Sequence, residues 1–164
     1  MTMPRTLKVF LPLLAVAALI LALVPSSRSL LGSPAASPED NATAIDWQLL
    51  LGLDSFSGEI DDPALAALDG EVVTLAGYVV PLDLWADELD TFLLVPYMGA
   101  CIHVPPPPPE QMVLVTLREP VTMPDMWIPQ VITGHLTIKP IDSPYGSAGY
   151  SLDGLHIKEF DDWT

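Results

Sequence analysis

The sequence predicts a mainly β protein: a small OB-like Greek-key barrel with one or two short N-terminal helices, following an N-terminal apolar segment. Three observations carry that expectation. Five runs rich in β-branched residues lie between positions 71 and 157, the first of them long and interrupted by Gly77. Proline, glycine and aspartate turns separate the runs, and helical spacing is confined to the stretch before them. The chain has 164 residues, enough for one ordinary domain and a targeting segment but not for two full domains. An open β-sandwich is the competing architecture.

Residues 1–28 read as a signal peptide or an N-terminal membrane anchor. Arg5 and Lys8 precede sixteen uncharged residues, 9–24, followed by Pro25-Ser-Ser27. The run is longer than a signal core needs and shorter than the roughly 20 residues of a membrane-spanning helix, and Pro12 shortens it further. Lipid attachment is excluded, because the only cysteine, Cys101, is nowhere near the run. Since basic flanks stay in the cytoplasm, both readings place the rest of the chain outside it, in the periplasm or tethered to the inner membrane. Residues 29–44, rich in Ser, Pro and Ala, read as a flexible tether. Asn41-Ala-Thr43 fits a glycosylation acceptor by chance alone.

The folded part is expected over 45–164. Residues 45–53 have the spacing of a short amphipathic helix with Asp46 near its start, and Pro63 opens a second helical turn over 63–68. Strands follow over 71–80, 91–95, 112–117, 131–138 and 149–157, with a bulge or sharp bend expected at Gly77. Pro81, Asp142-Ser-Pro144 and Gly146-Ser-Ala-Gly149 supply turns between them. Asp83, Asp87, Glu88 and Asp90 read as a solvated acidic loop after the first strand, and Trp47, Trp85, Trp127 and Trp163 as cover for a small core.

Charge limits what the barrel can bind. From residue 29 onward three basic residues face 21 acidic ones, a net of −18. Such a surface repels phosphate backbones, so nucleic acid is not an expected partner even for an OB-like fold. Electrostatic docking onto anionic lipid is equally disfavoured.

One segment carries chemistry: Val95-Pro-Tyr-Met-Gly-Ala-Cys-Ile-His-Val-Pro-Pro-Pro-Pro-Pro-Glu-Gln111. Cys101 and His103 are two residues apart, so an extended chain points thiol and imidazole the same way. Pro105, Pro106, Pro107, Pro108 and Pro109 fix φ and remove backbone donors, which predicts a stiff polyproline II rod behind the pair. An exported cysteine without a partner then has three readings. It ligates zinc or copper together with His103, with His135, His156 or a carboxylate completing the site. It is a thiolate nucleophile activated by His103. Or it is a small buried hydrophobe, with His103 bonded to a loop carbonyl.

The strand Gly77-Tyr-Val-Val-Pro-Leu-Asp83, the run Phe92-Leu-Leu-Val-Pro-Tyr97 and the loop Gly99-Ala-Cys-Ile-His-Val-Pro-Pro-Pro-Pro-Pro109 resemble the bacterial domain-of-unknown-function family 3299. The resemblance spans roughly residues 45–157, including the strand over 131–136 and Gly149-Tyr150. Two positions depart from the family pattern: Glu110 stands where Asn is expected, and Met98 where an aromatic is common. The resemblance implies an exported protein associated with membrane transport, of a metal-linked ABC type, and it implies no activity. The expected function is an accessory protein that binds zinc or copper through Cys101 and His103, with His135 or His156 as a third ligand. The alternative is a metal-free interaction module in which Tyr97, the five prolines and Gln111 dock a membrane transporter component. A thiol enzyme is the third.

Overall fold

The computed structural model describes residues 37–55, 57–98 and 106–161. Eight strands and two short helices make up this part: β1 (Thr43–Ala44), α1 (Trp47–Leu50), β2 (Leu53–Asp54), β3 (Glu59–Ile60), α2 (Pro63–Ala66), β4 (Val72–Pro81), β5 (Glu88–Val95), β6 (Val113–Thr122), β7 (Gln130–Ser143) and β8 (Gly146–Glu159). Strands pair in the order β4-β5-β6-β8-β7, and β7 pairs back onto β4, so the last five strands close a barrel. The β6–β8 pair is parallel, while the other four pairs around the barrel are antiparallel. This is the OB arrangement that the five runs predicted.

Closure depends on β4 serving two neighbours. Its first half, from Val72 to Gly77, pairs with β7, and its second half, from Tyr78 to Pro81, pairs with β5. The change of partner falls at Gly77, where the sequence predicts a bend. A Cβ there would lie 2.8 Å from the Val95 carbonyl oxygen and 3.0 Å from the Trp47 ring, so the bend leaves no room for a side chain. Gly134 has the same role between β7 and β8: a Cβ would meet the Asp153 carbonyl oxygen at 2.5 Å, beside the register shift that follows Thr133.

Alternation fills the barrel. Val73, Leu75 and Val79 of β4, Phe92 and Leu94 of β5, and Val113, Val115 and Leu117 of β6 point inward, joined by Ile132, Leu136, Tyr150 and Leu152. One end is closed by the two helices. Asp46 accepts a hydrogen bond from the Leu49 N–H and Asp62 one from the Ala64 N–H, which caps each helix at its start. These short helices deliver Leu50 and Leu65, both 0% exposed, into the interior. Trp47 packs against the same core and donates from Nε1 to the Ala76 carbonyl at 2.7 Å. Tyr150, fully buried, donates its hydroxyl hydrogen to the Leu50 carbonyl.

Several boundaries differ from those expected. The first helix covers only Trp47–Leu50, because Leu53 has turned into the hairpin β2–β3, with Gly58 at φ +72°. Residues 38–44, read as tether, contain a 3-10 turn and β1, which pairs in parallel with Val73 and Thr74. Glu88 and Asp90, read as loop, belong to β5: they face outward while Leu89 between them is buried. Of the turns expected at 142–144 and 146–149 the chain makes one, at Pro144 and Tyr145, and 146–149 open β8, so β7 and β8 form a long hairpin. Pro140 is tolerated within β7 because it falls in the irregularity between Ile138 and Ile141. Among the described tryptophans, Trp47 covers the core while Trp85 and Trp127 are exposed; Trp163 lies outside the described residues.

Candidate functional site

Residues 99–105 are outside the described part, so the expectations for Cys101, His103 and Pro105 fall there. The two flanks of that segment are described, and the one at Met98 opens on an apolar region on the outside of the barrel. Because Phe92 and Leu94 point inward, Leu93 and Val95 point outward. They join Val80, Met112 and Ala148 in a second buried cluster, with Tyr78, Leu82, Leu114 and Tyr145 packed against it. The chain leaves this cluster through Tyr97 and Met98, which are 48% and 49% exposed. Tyr78, Val80, Val95, Tyr97, Met98, Met126 and Trp127 line an almost wholly apolar groove of about 190 Å³ there.

The chain returns through the prolines. Pro106 and Pro108 are exposed and Pro107 is buried. Pro108, at φ −64° and ψ 155°, has the expected polyproline II conformation. The rod ends earlier than the sequence predicts: Pro109 opens a 3-10 turn through Gln111, closed by the Gln111 N–H to the Pro108 carbonyl at 2.8 Å. A proline without an N–H suits the first position of such a turn. The turn packs against β8, where the Pro109 carbonyl oxygen would be 2.8 Å from a Cβ on Gly149. Gln111 is half-buried beside it.

Glu110, in this turn, has a property that the sequence does not advertise. Its Oε2 is the buried side-chain oxygen that, among the described residues, has no hydrogen-bond partner. Burying a carboxylate oxygen without a donor or cation is costly. Its charge is also felt at Tyr150: burial first, and then the Glu110 carboxylate, push the tyrosine hydroxyl far above its ordinary pKa. The only sequence signal was that Glu replaces an expected Asn at this position.

The two remaining candidate ligands are elsewhere. His135 is on the outer face of β7, opposite Val72 of β4 and Asp153 of β8, with Nδ1 3.3 Å from the Gly70 carbonyl oxygen. His156, on β8 opposite Thr133, lines a cleft of about 550 Å³ where β6 and β8 part beyond Leu117, together with Arg118 and Glu119. Neither histidine belongs to the apolar region that the chain leaves at Met98. Asp153 between them is engaged by Arg118, 2.8 Å away; that hydrogen bond, aided by the guanidinium and His135 charges, holds its carboxyl below the usual range. No group of three or more His, Cys, Asp or Glu suited to a metal occurs among the described residues. No helix among the described residues is long and apolar enough to cross a membrane, and the apolar run at 9–24 lies outside them.

Sequence reasoning also passed over a pair of matching tips. Asp83-Leu-Trp85 and Asp125-Met-Trp127 sit in the β4–β5 and β6–β7 loops. In each, the aspartate Oδ1 accepts from the tryptophan N–H at 2.9 Å. Trp85 is 93% exposed, and Trp127, 71% exposed, also lines the groove beside Tyr97 and Met98.

Known proteins agree with the fold. No curated protein matches the chain. A crystal structure of a DUF3299 family protein from Pseudomonas aeruginosa PAO1 superposes with a TM-score of 0.60 at 29% identity, covering 75% of this chain and 99% of that one. A putative aspartyl-tRNA synthetase from Leishmania major Friedlin aligns at a TM-score of 0.41 and 10% identity, over 88% of this chain and 26% of the other, too weak a likeness to bear on function. The family described as a protein of unknown function, DUF3299, matches residues 57–159, which takes in β3 to β8 and the Cys-His loop, and the chain belongs to that family.

Proposed function

We propose that this domain is an accessory module that binds a transition metal, zinc or copper, at the loop carrying Cys101 and His103. Glu110 is the third ligand in this reading, in place of His135 and His156. The observation that carries it is the buried, unpartnered Oε2 of Glu110 at the end of the proline segment that follows His103. A cation is the partner such an oxygen lacks, and thiolate, imidazole and carboxylate together form a donor set that zinc accepts. The apolar groove beside Tyr97 and Met98 adds a place for a protein to receive or deliver the metal. The apolar segment at 9–24 supports an exported, membrane-held chain, which would put the module beside a transporter.

Zinc titration of the purified chain at neutral pH tests the proposal. Binding is expected to fall on acidification, because thiolate and imidazole must give up their protons to ligate. Cys101→Ser is expected to remove it. Wild-type affinity no tighter than that of Cys101→Ser would end the idea.

A second reading, a metal-free docking module, is favoured by one observation: Tyr97, Met98, Met126 and Trp127 are exposed around an apolar groove. Under that reading Cys101→Ser is silent, while charged substitutions at Tyr97 or Met98 abolish association with the transporter component.

A further inference from the structure

Strand register brings two methionines to one groove from opposite sides of Tyr78. On one side Tyr78 of β4 pairs with Val95 of β5, and three residues further along the chain is Met98. On the other side Gly77, next to Tyr78, pairs with Gln130 of β7, and the loop over 123–129 that leads into Gln130 carries Met126 and Trp127. The returning arm of that loop is fixed. Gln130 is buried and donates from Nε2 to the Ile128 carbonyl at 3.1 Å, while the Pro129 carbonyl accepts from the Phe160 N–H at 3.0 Å. Asp125 closes the turn around Met126 and Trp127: its Oδ1 accepts from the Trp127 N–H and its carbonyl from the Ile128 N–H at 3.2 Å. Tyr78, Val95, Met98, Met126 and Trp127 all line the groove that results.

Four methionines fall among the described residues. Met112 is buried and Met123 packs against the core, so both are explained by the fold. The other two, Met98 and Met126, are exposed, and they are the two in the groove. We propose that Met98 and Met126 are the thioether ligands of a site for monovalent copper. Thioether sulfur is a soft donor and selects copper(I). No Asp, Glu or His lines the groove, so zinc, calcium and magnesium find no ligand of the kind they prefer. An apolar lining also disfavours a divalent ion more than a monovalent one, because the cost of leaving water grows steeply with charge. Trp127 adds an aromatic ring, whose face attracts a cation. The net charge of −18 from residue 29 onward raises the concentration of cations around the barrel. This site goes beyond the metal reading above and holds or falls without it. A thioether has no proton to lose, so binding in the groove persists on acidification, whereas a thiolate–imidazole site releases its metal.

The test uses the full chain in neutral detergent, isotope-labelled at its methionine methyls for NMR. Silver(I) nitrate in chloride-free buffer serves as an air-stable substitute for copper(I). Silver should shift the methyl resonances of Met98 and Met126 together, in the wild type and in Cys101→Ser alike, and at mildly acidic as at neutral pH. In the Cys101→Ser chain, adding Met98→Leu and Met126→Leu should weaken silver binding by at least the roughly 10–100-fold that losing a supporting residue costs a metal site. Leucine keeps the apolar volume, so the denaturation midpoint should hold. Silver that leaves both methyls unmoved, moves only one of them, or moves them only in chains that retain Cys101 would overturn the proposal. So would equal silver affinity with and without the two leucines. Absence of zinc binding with both methyl shifts intact would strike the reading of the Cys101–His103 loop and leave the groove site standing.

Discussion

The helical plug and the loops after β4 and β6 use the same kinds of side chain for opposite purposes. At the helical end, Trp47 packs against the core and donates to Ala76, Leu50 and Leu65 are fully buried, and Tyr150 bonds to the Leu50 carbonyl. On the loops that follow β4 and β6, Leu84, Trp85, Met126 and Trp127 are largely exposed beside turns pinned by aspartates. Burial of an apolar side chain stabilises a fold by about 1.5–3 kcal/mol, and an exposed one contributes almost nothing. The helices therefore hold the barrel shut, and the exposed loop residues add little to its stability. Large apolar residues displayed on capped turns are an expense to solubility that the fold itself does not require.

This contrast predicts a graded series of losses. Leu50→Ala should be the most damaging, at about 2–5 kcal/mol, because the cavity opens where the short helix plugs the barrel. Chemical denaturation would measure it, and a loss under 1 kcal/mol would mean that the helices merely decorate the end. Tyr150→Phe should cost about 1–3 kcal/mol, since it leaves the buried Leu50 carbonyl without its donor.

The same residue sets the alkaline limit. Burial and Glu110 raise the folded-state pKa of Tyr150 above its ordinary value of 10.0, so the neutral hydroxyl is favoured in the fold. Its stabilisation is fully present below about pH 10 and is lost as pH rises beyond it, when the unfolded chain gains by ionising. Tyr150→Phe should flatten that part of the pH–stability curve; a curve unchanged by the substitution would place the alkaline transition elsewhere. Trp85→Ala and Trp127→Ala should be the mildest, each within about 0.5 kcal/mol of wild type. A larger loss in the same denaturation experiment would show that the tips are part of the core after all.

Much of the barrel was legible in the residues, because β-branched runs and turn residues act locally. Gly77 could be read as a bend since a glycine inside a strand is disfavoured without a reason of that kind. The boundaries were less legible. Glu88 and Asp90 looked like loop by composition, yet their alternation with Leu89 puts them on the wet face of β5. Pro109 looked like one more residue of a rod, but the missing N–H also suits it to opening a turn. The site divides in the same way. Cys101 and His103 were visible as a local motif. The burial of Glu110 was not, because it comes from β8 packing on the turn. His135 and His156 drew attention as residue types, and only the register of β7 and β8 puts them on another part of the surface.

The most direct test of the metal reading is the absorption spectrum of the chain loaded with cobalt(II), a spectroscopically visible substitute for zinc. A thiolate-to-cobalt charge-transfer band is expected in the wild type, in His135→Ala and in His156→Ala. It should disappear in Cys101→Ser, and Glu110→Gln should weaken cobalt binding while keeping the band at saturation. A wild-type spectrum without that band, or one that survives Cys101→Ser and vanishes with His135 or His156, would contradict a metal site built on the Cys101–His103 loop.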